Sequence, residues 1–342
     1  MDKIKGFFKA ILRNIKSFFV NFFPEGFPKK KLFPLLLLLI MEAASNTILS
    51  SYVGFLIVDM GTAPNVNEAG DYTGWLASAF SIGQLFSSFI IGALSDNFGR
   101  RPMLLIGTFG IALTNLLFGF SFNFYYAVAV RLLNGMLNGN IGVIKTYMGE
   151  ITTNKNRVKA FSFIGLTYAL GSVIGSFLGG VLYDPCKLYP STFGETGLFK
   201  TFPALFPQLL MGIVGFIALI LAYIFLQENE VMKREKTEGG NKCKAILLSI
   251  KSVFVKMIEF FNKENKWSLY AMLNYFLINF TNTTFMVIYP LLMIASVGKG
   301  GFGMSTSELG IFSALCSVGT ILTLIFVYNP LVKGFGTSFE IE

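Results

Sequence analysis

Histidine is absent from this sequence of 342 residues, and cysteine, proline and charged residues are scarce. Without histidine, the chain lacks the commonest metal ligand and the side chain that usually exchanges protons near neutral pH. Its three cysteines, Cys186, Cys243 and Cys316, are odd in number and far apart, which excludes a disulfide framework. Charged residues make up only 14% of the chain, against about 25% in soluble domains. An ordinary soluble fold is therefore excluded.

What the chain has in abundance is apolar residues, which make up 53% of the sequence and include 38 phenylalanines. A membrane-spanning helix needs about 20 predominantly apolar residues. Eight stretches qualify, and we predict an all-α membrane protein with about eight transmembrane helices. They are residues 33–59, 72–94, 103–121, 123–149, 158–183, 202–226, 267–296 and 305–328.

Lysine and arginine are distributed unevenly between these spans. Of 28 such residues, 23 lie in segments that would share one membrane face, and 3 (Lys187, Lys200 and Lys299) lie in segments on the other. Because cytosolic segments are enriched in Lys and Arg, we expect both termini to be cytosolic. The net charge of +9 then reflects membrane topology, and we expect no nucleic-acid partner.

The same pattern divides the chain into four segments. Residues 1–32 have apolar side chains at helical spacing opposite basic ones, which is typical of an amphipathic helix on the inner membrane surface. A partner-binding helix is the alternative. We expect a six-helix transmembrane domain over 33–226, a cytosolic basic linker over 227–266 and a partial second transmembrane domain over 267–342.

The loop between the second and third spans, residues 92–102, reads GALSDNFGRRP. It resembles the cytosolic signature of the major facilitator superfamily, G-x-L-(A/S)-D-x-x-G-R-(R/K). Gly92 would let two helices approach closely, Gly99 would allow a tight turn, and Asp96 could pair with a loop arginine. A basic loop that only follows the charge asymmetry is the alternative. The predicted gating charge cluster, with its loop glycines, comprises Gly92, Asp96, Gly99, Arg100, Arg101, Glu150 and Arg157.

Spans four and five carry two further motifs that resemble the same superfamily. Residues 131–142 resemble its fourth-helix motif, R-x-x-x-G-x-x-x-G, and we expect Arg131, Asn134 and Asn138 to share one helix face. A buried membrane arginine should face a wet cavity or a partner, unless it extends to the outer interface. Span five resembles the fifth-helix antiporter motif, with Ser176 in place of its proline. We expect its glycines to pack tightly against another helix: Gly171, Gly175, Gly179 and Gly180.

More narrowly, residues 138–151, 182–185 and 227–228 resemble zinc-induced facilitator-like and tetracycline-type multidrug transporters. The resemblance covers about residues 35–335. It implies a proton-coupled secondary transporter of drugs, organic cations or metal chelates, in a plasma or vacuolar membrane, that works by alternating access. The expected partners are a small-molecule substrate, protons and the lipid bilayer, and we expect no cofactor and no bound metal.

Polar side chains inside otherwise apolar spans are candidates for a central cavity. Glu42 and Asn46 lie on one face of span one, and desolvation at mid-membrane would favour a protonated Glu42 that can exchange a proton. A static pair between Glu42 and a basic residue is the alternative. Side chains of span seven could bind substrate or only hydrogen-bond to other helices. The predicted cavity residues are Glu42, Asn46, Arg131, Asn134, Asn138, Asn274 and Asn282.

The resemblance implies twelve spans, six in each half, whereas eight are found. The expected architecture is a major facilitator fold with a complete six-helix N-terminal bundle and an incomplete C-terminal bundle. We expect a fragment of a longer polypeptide; a complete short chain would pair with a second copy or would have lost transport. A non-transporting membrane scaffold or sensor is thus the alternative function. An enzyme is not expected, because no nucleophile–base pair can be assembled and no phosphate-binding loop is found.

Overall fold

A computed structural model describes residues 29–194, 197–228, 255 and 266–328. Regular structure within these ranges is entirely helical. The helices are α1 (Lys29–Ile48), α2 (Val53–Asp59), α3 (Gly70–Phe98), α4 (Arg100–Gly119), α5 (Phe124–Leu137), α6 (Asn140–Ile151), α7 (Asn154–Leu182), α8 (Pro185–Leu188), α9 (Pro190–Phe193), α10 (Leu198–Thr201), α11 (Leu205–Phe225), α12 (Lys266–Ile294) and α13 (Thr306–Thr323).

Three parts of the predicted domain scheme lie largely outside the described residues. These are the amphipathic segment 1–32 before Lys29, most of the basic linker 227–266, and the tail beyond residue 328.

Eight helical stretches in the described ranges are long and apolar enough to cross a membrane, which confirms the predicted all-α membrane class and the number of spans. Their bounds are Leu32–Ser51, Gly70–Phe98, Arg100–Gly119, Phe124–Ile151, Ala160–Leu182, Leu205–Phe225, Leu269–Ile294 and Thr306–Phe326.

The first predicted span, 33–59, is interrupted by a 3₁₀ segment, Leu49–Ser51, that separates α1 from α2. Hydroxyl groups explain the break. The Oγ1 of Thr47 donates a hydrogen bond to the carbonyl of Ala43 (2.9 Å), and the Oγ of Ser50 donates one to the carbonyl of Thr47 (2.6 Å). Side chains that compete for backbone carbonyls in this way weaken the regular helical ladder.

The fourth span is also broken, between α5 and α6 at Asn138 and Gly139. Asn138 has φ −99° and ψ 97°, which lies outside the helical region. The Oγ of Ser87 lies 2.9 Å from the carbonyl oxygen of Gly135 and 3.1 Å from that of Asn138, so its one proton is shared between two carbonyls at the break. The single helical face expected from Arg131 to residue 142 is therefore wrong, because the helix does not continue through Asn138.

The first six spans pack around α1, whose apolar stretch is 67% buried. Helix α1 packs against α7 and α11, α4 packs against α11, and α3 packs against α5. The seventh span has few neighbours, and only 11% of its apolar stretch is buried. The eighth span, by contrast, packs closely against α7. The first six spans therefore form the core of the described structure.

Glycines of α7 set two helix crossings. A Cβ placed on Gly171, Gly175 or Gly179 would collide with backbone of α1, so these residues bring α7 and α1 into direct backbone contact. Gly180 faces the other way, and a Cβ there would lie 2.6 Å from the Cα of Gly310 in α13. The same motif thus packs against two different helices.

Gly92 does not have the role expected for it. A Cβ placed on Gly92 would meet no other atom of the described structure within 4 Å. The close helix approach predicted there is therefore wrong, because no described helix crosses α3 at that residue.

Candidate functional site

A small polar pocket lies inside the bundle where α1, α4, α5 and α11 meet. Its enclosed space is about 10 Å³, roughly the room for one water molecule. Each of the four helices contributes a polar side chain to a wall that is otherwise apolar. The lining residues are Ser45, Leu49, Thr114, Asn115, Phe118, Val130, Arg131, Asn134 and Gln208.

Amide side chains on α4 and α5 hold the walls of this pocket together. The Nδ2 of Asn115 donates a hydrogen bond to the Oγ of Ser45 (2.9 Å), which joins α4 to α1. The Nδ2 of Asn134 donates one to the Oγ1 of Thr114 (2.6 Å), which joins α5 to α4. Because these groups are buried, each bond replaces water that the folded bundle excludes.

A second set of contacts leads from the pocket to the end of α2. The Nε2 of Gln208 donates a hydrogen bond to the hydroxyl of Tyr52, whose ring stacks on that of Tyr183 with centroids 4.8 Å apart. The Tyr183 hydroxyl donates a hydrogen bond to Asp59. Asp59 lies beyond the first candidate span, and burial raises the pKa of its carboxyl, although the bond from Tyr183 opposes that rise.

Arg131 faces the pocket, as the sequence predicted for a membrane arginine. Its guanidinium carbon lies 4.6 Å from the centroid of the Phe80 ring, which places the cation against an aromatic face. Its Nε is buried and has no hydrogen-bond partner among the described residues. Within the described ranges, no carboxylate lies within 4.0 Å of this guanidinium. A positive charge therefore borders the pocket without a neutralising partner.

Glu42 is fully buried in α1 but is not part of the pocket lining. The side chain of Asn138 lies near it, yet neither carboxyl oxygen has a hydrogen-bond partner among the described residues. The hydroxyl of Tyr168 lies within interaction distance of the Asn46 side chain and near the carboxyl group of Glu42. The structure therefore separates the predicted cavity residues into a Glu42 group and an Arg131 group.

Asn274 and Asn282 do not join either group. Both are exposed on α12, and neither lines the pocket beside Arg131. Helix α12 contacts the first six spans near its end, where the amide N–H of Ser296 donates a hydrogen bond to Oδ1 of Asn67 (2.9 Å). The predicted cavity between these asparagines and Glu42 is therefore not formed within the described residues.

At the opposite end from Asp59, Arg100 is the centre of a charge cluster. Its side chain is in contact with Asp96, and its Nη2 lies 2.8 Å from Oε1 of Glu150. Its Nη1 donates a further hydrogen bond to Oγ of Ser95 (3.0 Å). Gly99, with φ 102°, makes the turn that starts α4 at Arg100. Only 5% of Arg100 is exposed, so the guanidinium at the centre of the cluster is shielded from water.

Arg101 and Arg157, which we expected in this cluster, point elsewhere. The Nη2 of Arg101 donates a hydrogen bond to the carbonyl of Tyr223 (2.7 Å), and its guanidinium carbon lies 5.2 Å from the Tyr223 ring centroid. The exposed Arg157 donates a hydrogen bond to the carbonyl of Gly149 (3.5 Å). Each arginine is drawn to a nearby backbone carbonyl instead of a carboxylate.

Glu228 takes part instead, although the sequence analysis did not place it in the cluster. Its Oε1 accepts a hydrogen bond from the backbone N–H of Arg100 (2.9 Å), and its carboxylate lies against Gly99. The hydroxyl of Tyr147 also donates a hydrogen bond to the carbonyl of Gln227 (2.6 Å). The end of span six is thus bound to the loop between spans two and three.

Sequence reasoning also missed the pocket residues Thr114, Asn115 and Gln208. Two of them could have been found, because Asn115 and Gln208 each place a polar amide inside an otherwise apolar span. Within the described residues, no group of three acidic or cysteine side chains is arranged to hold a metal ion.

Comparison with known proteins shows which family this chain resembles. Residues 35–337 match the profile of the Major Facilitator Superfamily. The "Major facilitator superfamily multidrug transporter mfsB" of Aspergillus fumigatus is 34% identical over 217 residues, which cover 63% of this chain and 36% of that protein. The Arabidopsis thaliana "Protein ZINC INDUCED FACILITATOR-LIKE 1" is 29% identical over 309 residues, which cover 89% of this chain and 64% of that protein.

A bacterial relative matches a shorter region. The "Tetracycline resistance protein, class H" of Pasteurella multocida is 33% identical over 127 residues, which cover 37% of this chain and 32% of that protein. The chain thus spans between 32% and 64% of the length of these three relatives.

Among solved structures, a bacterial homolog of the human lysosomal transporter Spinster is similar in two inward-facing crystal structures. The unoccupied structure aligns with a TM-score of 0.61 at 17% identity, covering 91% of this chain and 64% of that one. The occupied structure aligns with a TM-score of 0.58 at 16% identity, covering 91% and 62%. At this identity the similarity establishes the fold alone.

Proposed function

Because the chain belongs to the major facilitator superfamily, we propose that it is a secondary active transporter of small solutes that works by alternating access. The observation that carries this proposal is the small polar pocket beside Arg131. Buried polar atoms without partners destabilise a bundle, and more so in a membrane. Their presence at the meeting point of four helices supports a site that a solute occupies.

The names of three similar proteins support the class of substrate that we propose. These are a multidrug transporter, a zinc induced facilitator-like protein and a tetracycline resistance protein. Drugs, organic cations and metal chelates are therefore the first solutes to test. We further propose that both termini are cytosolic and that the chain acts in a plasma or vacuolar membrane.

Proton coupling is assigned to Glu42 in this proposal. Its carboxyl is fully buried, and neither oxygen has a hydrogen-bond partner among the described residues. An unpaired carboxylate is disfavoured in such surroundings, so binding and release of a proton would accompany exposure of the group to water. That coupling between protonation and access is what an antiporter requires.

The Arg100 cluster is proposed to act as a gate on the cytosolic face. Asp96 is largely exposed, with 62% of its side chain accessible, so its pair with Arg100 is worth about 1 kcal/mol or less. A weak contact can break and reform between two states of similar free energy. Glu150, in α6, and Glu228, just beyond the end of α11, hold Arg100 from two further parts of the chain, so gate opening would separate these parts.

Uptake into proteoliposomes tests the proposal. The purified chain would be reconstituted with an imposed pH gradient and tested with tetracycline, an organic cation and chelated zinc. The Glu42→Gln variant should lose pH-driven accumulation but keep exchange of solute at equal concentrations, because only the proton site is removed. Glu68→Gln, at an exposed position in the short 3₁₀ helix Val66–Glu68, is the matched control and should behave like the parent.

Two results would contradict the proposal in different ways. Unchanged pH-driven uptake by a folded Glu42→Gln variant would remove the proton role of Glu42. A well-folded parent that moves none of the tested solutes would instead favour the non-transporting scaffold or sensor.

A further inference from the structure

The charge at Arg131 has no counterpart in the described part of the bundle. Its guanidinium is in contact with the Phe80 ring, its Nε lacks a hydrogen-bond partner, and no carboxylate lies within 4.0 Å. A cation that is removed from water without an anion is strongly unfavourable, and an aromatic face offsets only part of that penalty. The site is therefore short of one negative charge.

The pocket also contains an unused hydrogen-bond acceptor. Gln208 is 2% exposed, and its Oε1 has no partner within the described ranges, although its Nε2 donates a hydrogen bond to Tyr52. A ligand that satisfies both residues needs an anionic group for Arg131 and a nearby hydroxyl or amino group that donates to Gln208. A carboxylate fits the first requirement well, because guanidinium binds carboxylate oxygens in pairs.

The same lining does not suit a cationic ligand. None of the nine lining residues is Asp or Glu, and Glu42 is buried outside the pocket. A positively charged group would face the guanidinium of Arg131 without a compensating carboxylate. The apolar residues Leu49, Phe118 and Val130 provide contacts for an uncharged part of the ligand.

We propose that the pocket between Arg131 and Gln208 binds a small anionic group with an adjacent hydrogen-bond donor. The group is either a carboxylate of the transported solute or a free small anion. The inference rests on the proposed function. It narrows the substrate class at the same site to solutes that carry an anionic group, so organic cations without such a group drop out of the solutes proposed above. The enclosed space is about 10 Å³, so the pocket must open further to admit the remainder of a solute.

Binding to the purified chain tests this inference independently of transport. The chain would be placed in nanodiscs of zwitterionic phosphatidylcholine, and its thermal unfolding midpoint would be measured with four compounds of one scaffold. Mandelate carries a carboxylate and a hydroxyl, phenylacetate lacks the hydroxyl, phenylacetamide is neutral and phenethylamine is cationic. Mandelate should raise the midpoint most, phenylacetate less, and the other two not at all, since only a bound ligand stabilises the folded state.

Variants locate the effect. Arg131→Gln should abolish the response to mandelate, and Arg131→Lys should keep a weaker one, because the charge remains without the planar fork. Lys145→Gln, which removes an exposed cation from the same span, should respond like the parent. If Arg131→Gln does not fold, Gln208→Glu serves instead. It places a carboxylate inside the pocket and should remove the mandelate response without lowering the midpoint of the ligand-free chain.

Chloride distinguishes the two sources of the anion. If chloride alone raises the unfolding midpoint and its presence also removes the mandelate response, the group bound at Arg131 is a free anion. A mandelate response that persists in chloride would assign a solute carboxylate. An equal response to phenethylamine, or an equal mandelate response in Arg131→Gln and the parent, would overturn the inference. A chain that binds mandelate but moves no solute would contradict only the transport proposal.

Discussion

The guanidinium of Arg100 links α4 to α6 through Glu150, with 2.8 Å between Nη2 and Oε1, although the two residues are 50 positions apart. Glu150 is also mostly shielded, with 28% of its side chain accessible, whereas Asp96 on the same guanidinium is 62% accessible. The two acidic partners of Arg100 should therefore differ in their contribution to stability.

Glu150→Ala should destabilise the chain more than Asp96→Ala. Loss of a shielded, charge-assisted hydrogen bond costs about 1.5–3 kcal/mol, whereas loss of an exposed ion pair costs about 1 kcal/mol or less. We expect Asp96→Ala to impair transport more than folding. Thermal unfolding of the detergent-purified variants, together with uptake, measures both effects. Asp71→Asn, at an exposed position, is the control, and normal transport by a well-expressed Asp96→Ala variant would contradict the gating role.

Gly175→Ala should destabilise the contact between α7 and α1. A Cβ at this position would lie 2.7 Å from the Cα of Ala44, closer than real side chains come, so the helices would have to separate. Overpacking of this kind costs about 1–3 kcal/mol. Gly74→Ala, in α3, is the matched control, because its Cβ would meet no atom within 4 Å. The control should gain up to about 1 kcal/mol from helix propensity. Equal unfolding midpoints for the two variants would refute the proposed packing.

Gly99→Ala should be more harmful than Gly61→Ala, although both glycines have positive φ values of 102° and 69°. A positive φ alone costs a residue with a Cβ about 1–3 kcal/mol, and the ψ of 163° at Gly99 gives a conformation that is essentially restricted to glycine. At Gly99 a Cβ would also strike the Glu228 carboxylate, whereas at Gly61 it would meet nothing within 4 Å. Thermal unfolding should show the larger loss at Gly99. If Glu228 causes the difference, Glu228→Ala should restore part of the stability lost in Gly99→Ala.

Tyr52→Phe should lower stability by about 1–3 kcal/mol, the cost of a buried hydrogen-bonding group that is left without a partner. Removal of the hydroxyl leaves the side-chain amide of Gln208 unpaired at Nε2 as well as at Oε1. Tyr125→Phe removes the same hydroxyl from a residue that is 82% exposed and should change nothing measurable. A Tyr52→Phe variant with the parent's unfolding midpoint would show that this hydrogen bond is unimportant.

Asp59→Asn should make stability less dependent on pH. Burial raises the pKa of the Asp59 carboxyl above its ordinary value of 3.8, so the folded state prefers the protonated form. The resulting stabilisation is fully present below pH 3.8 and is lost as the pH rises through the raised pKa. Unfolding midpoints of parent and variant, measured from acidic to neutral pH, should therefore diverge as the pH increases. Parallel curves would indicate that the bond from Tyr183 cancels the effect of burial.

The local properties of this protein could be predicted from its sequence. Eight apolar stretches, the positively charged loop with Asp96 and Arg100, and the glycines at 171, 175 and 179 all depend on residues that are close in the chain. Hydrophobic length and helical spacing are local quantities, so the all-helical class and the number of spans followed directly.

The composition of the polar sites could not be predicted in the same way. Gln208 meets Tyr52 across 156 positions, and Glu228 meets Arg100 across 128, so no local spacing brings either pair together. Even the face shared by Arg131 and Asn138 was lost, because the helix breaks at Asn138.

The sequence by itself therefore determined which segments are helical and long enough to cross a membrane, since burial of apolar surface and backbone hydrogen bonding act within each segment. Only the tertiary structure decided which buried polar groups share a pocket and which carboxylate each arginine meets. These outcomes depend on how the helices are rotated and how closely they cross, which is set by packing between residues distant in the chain.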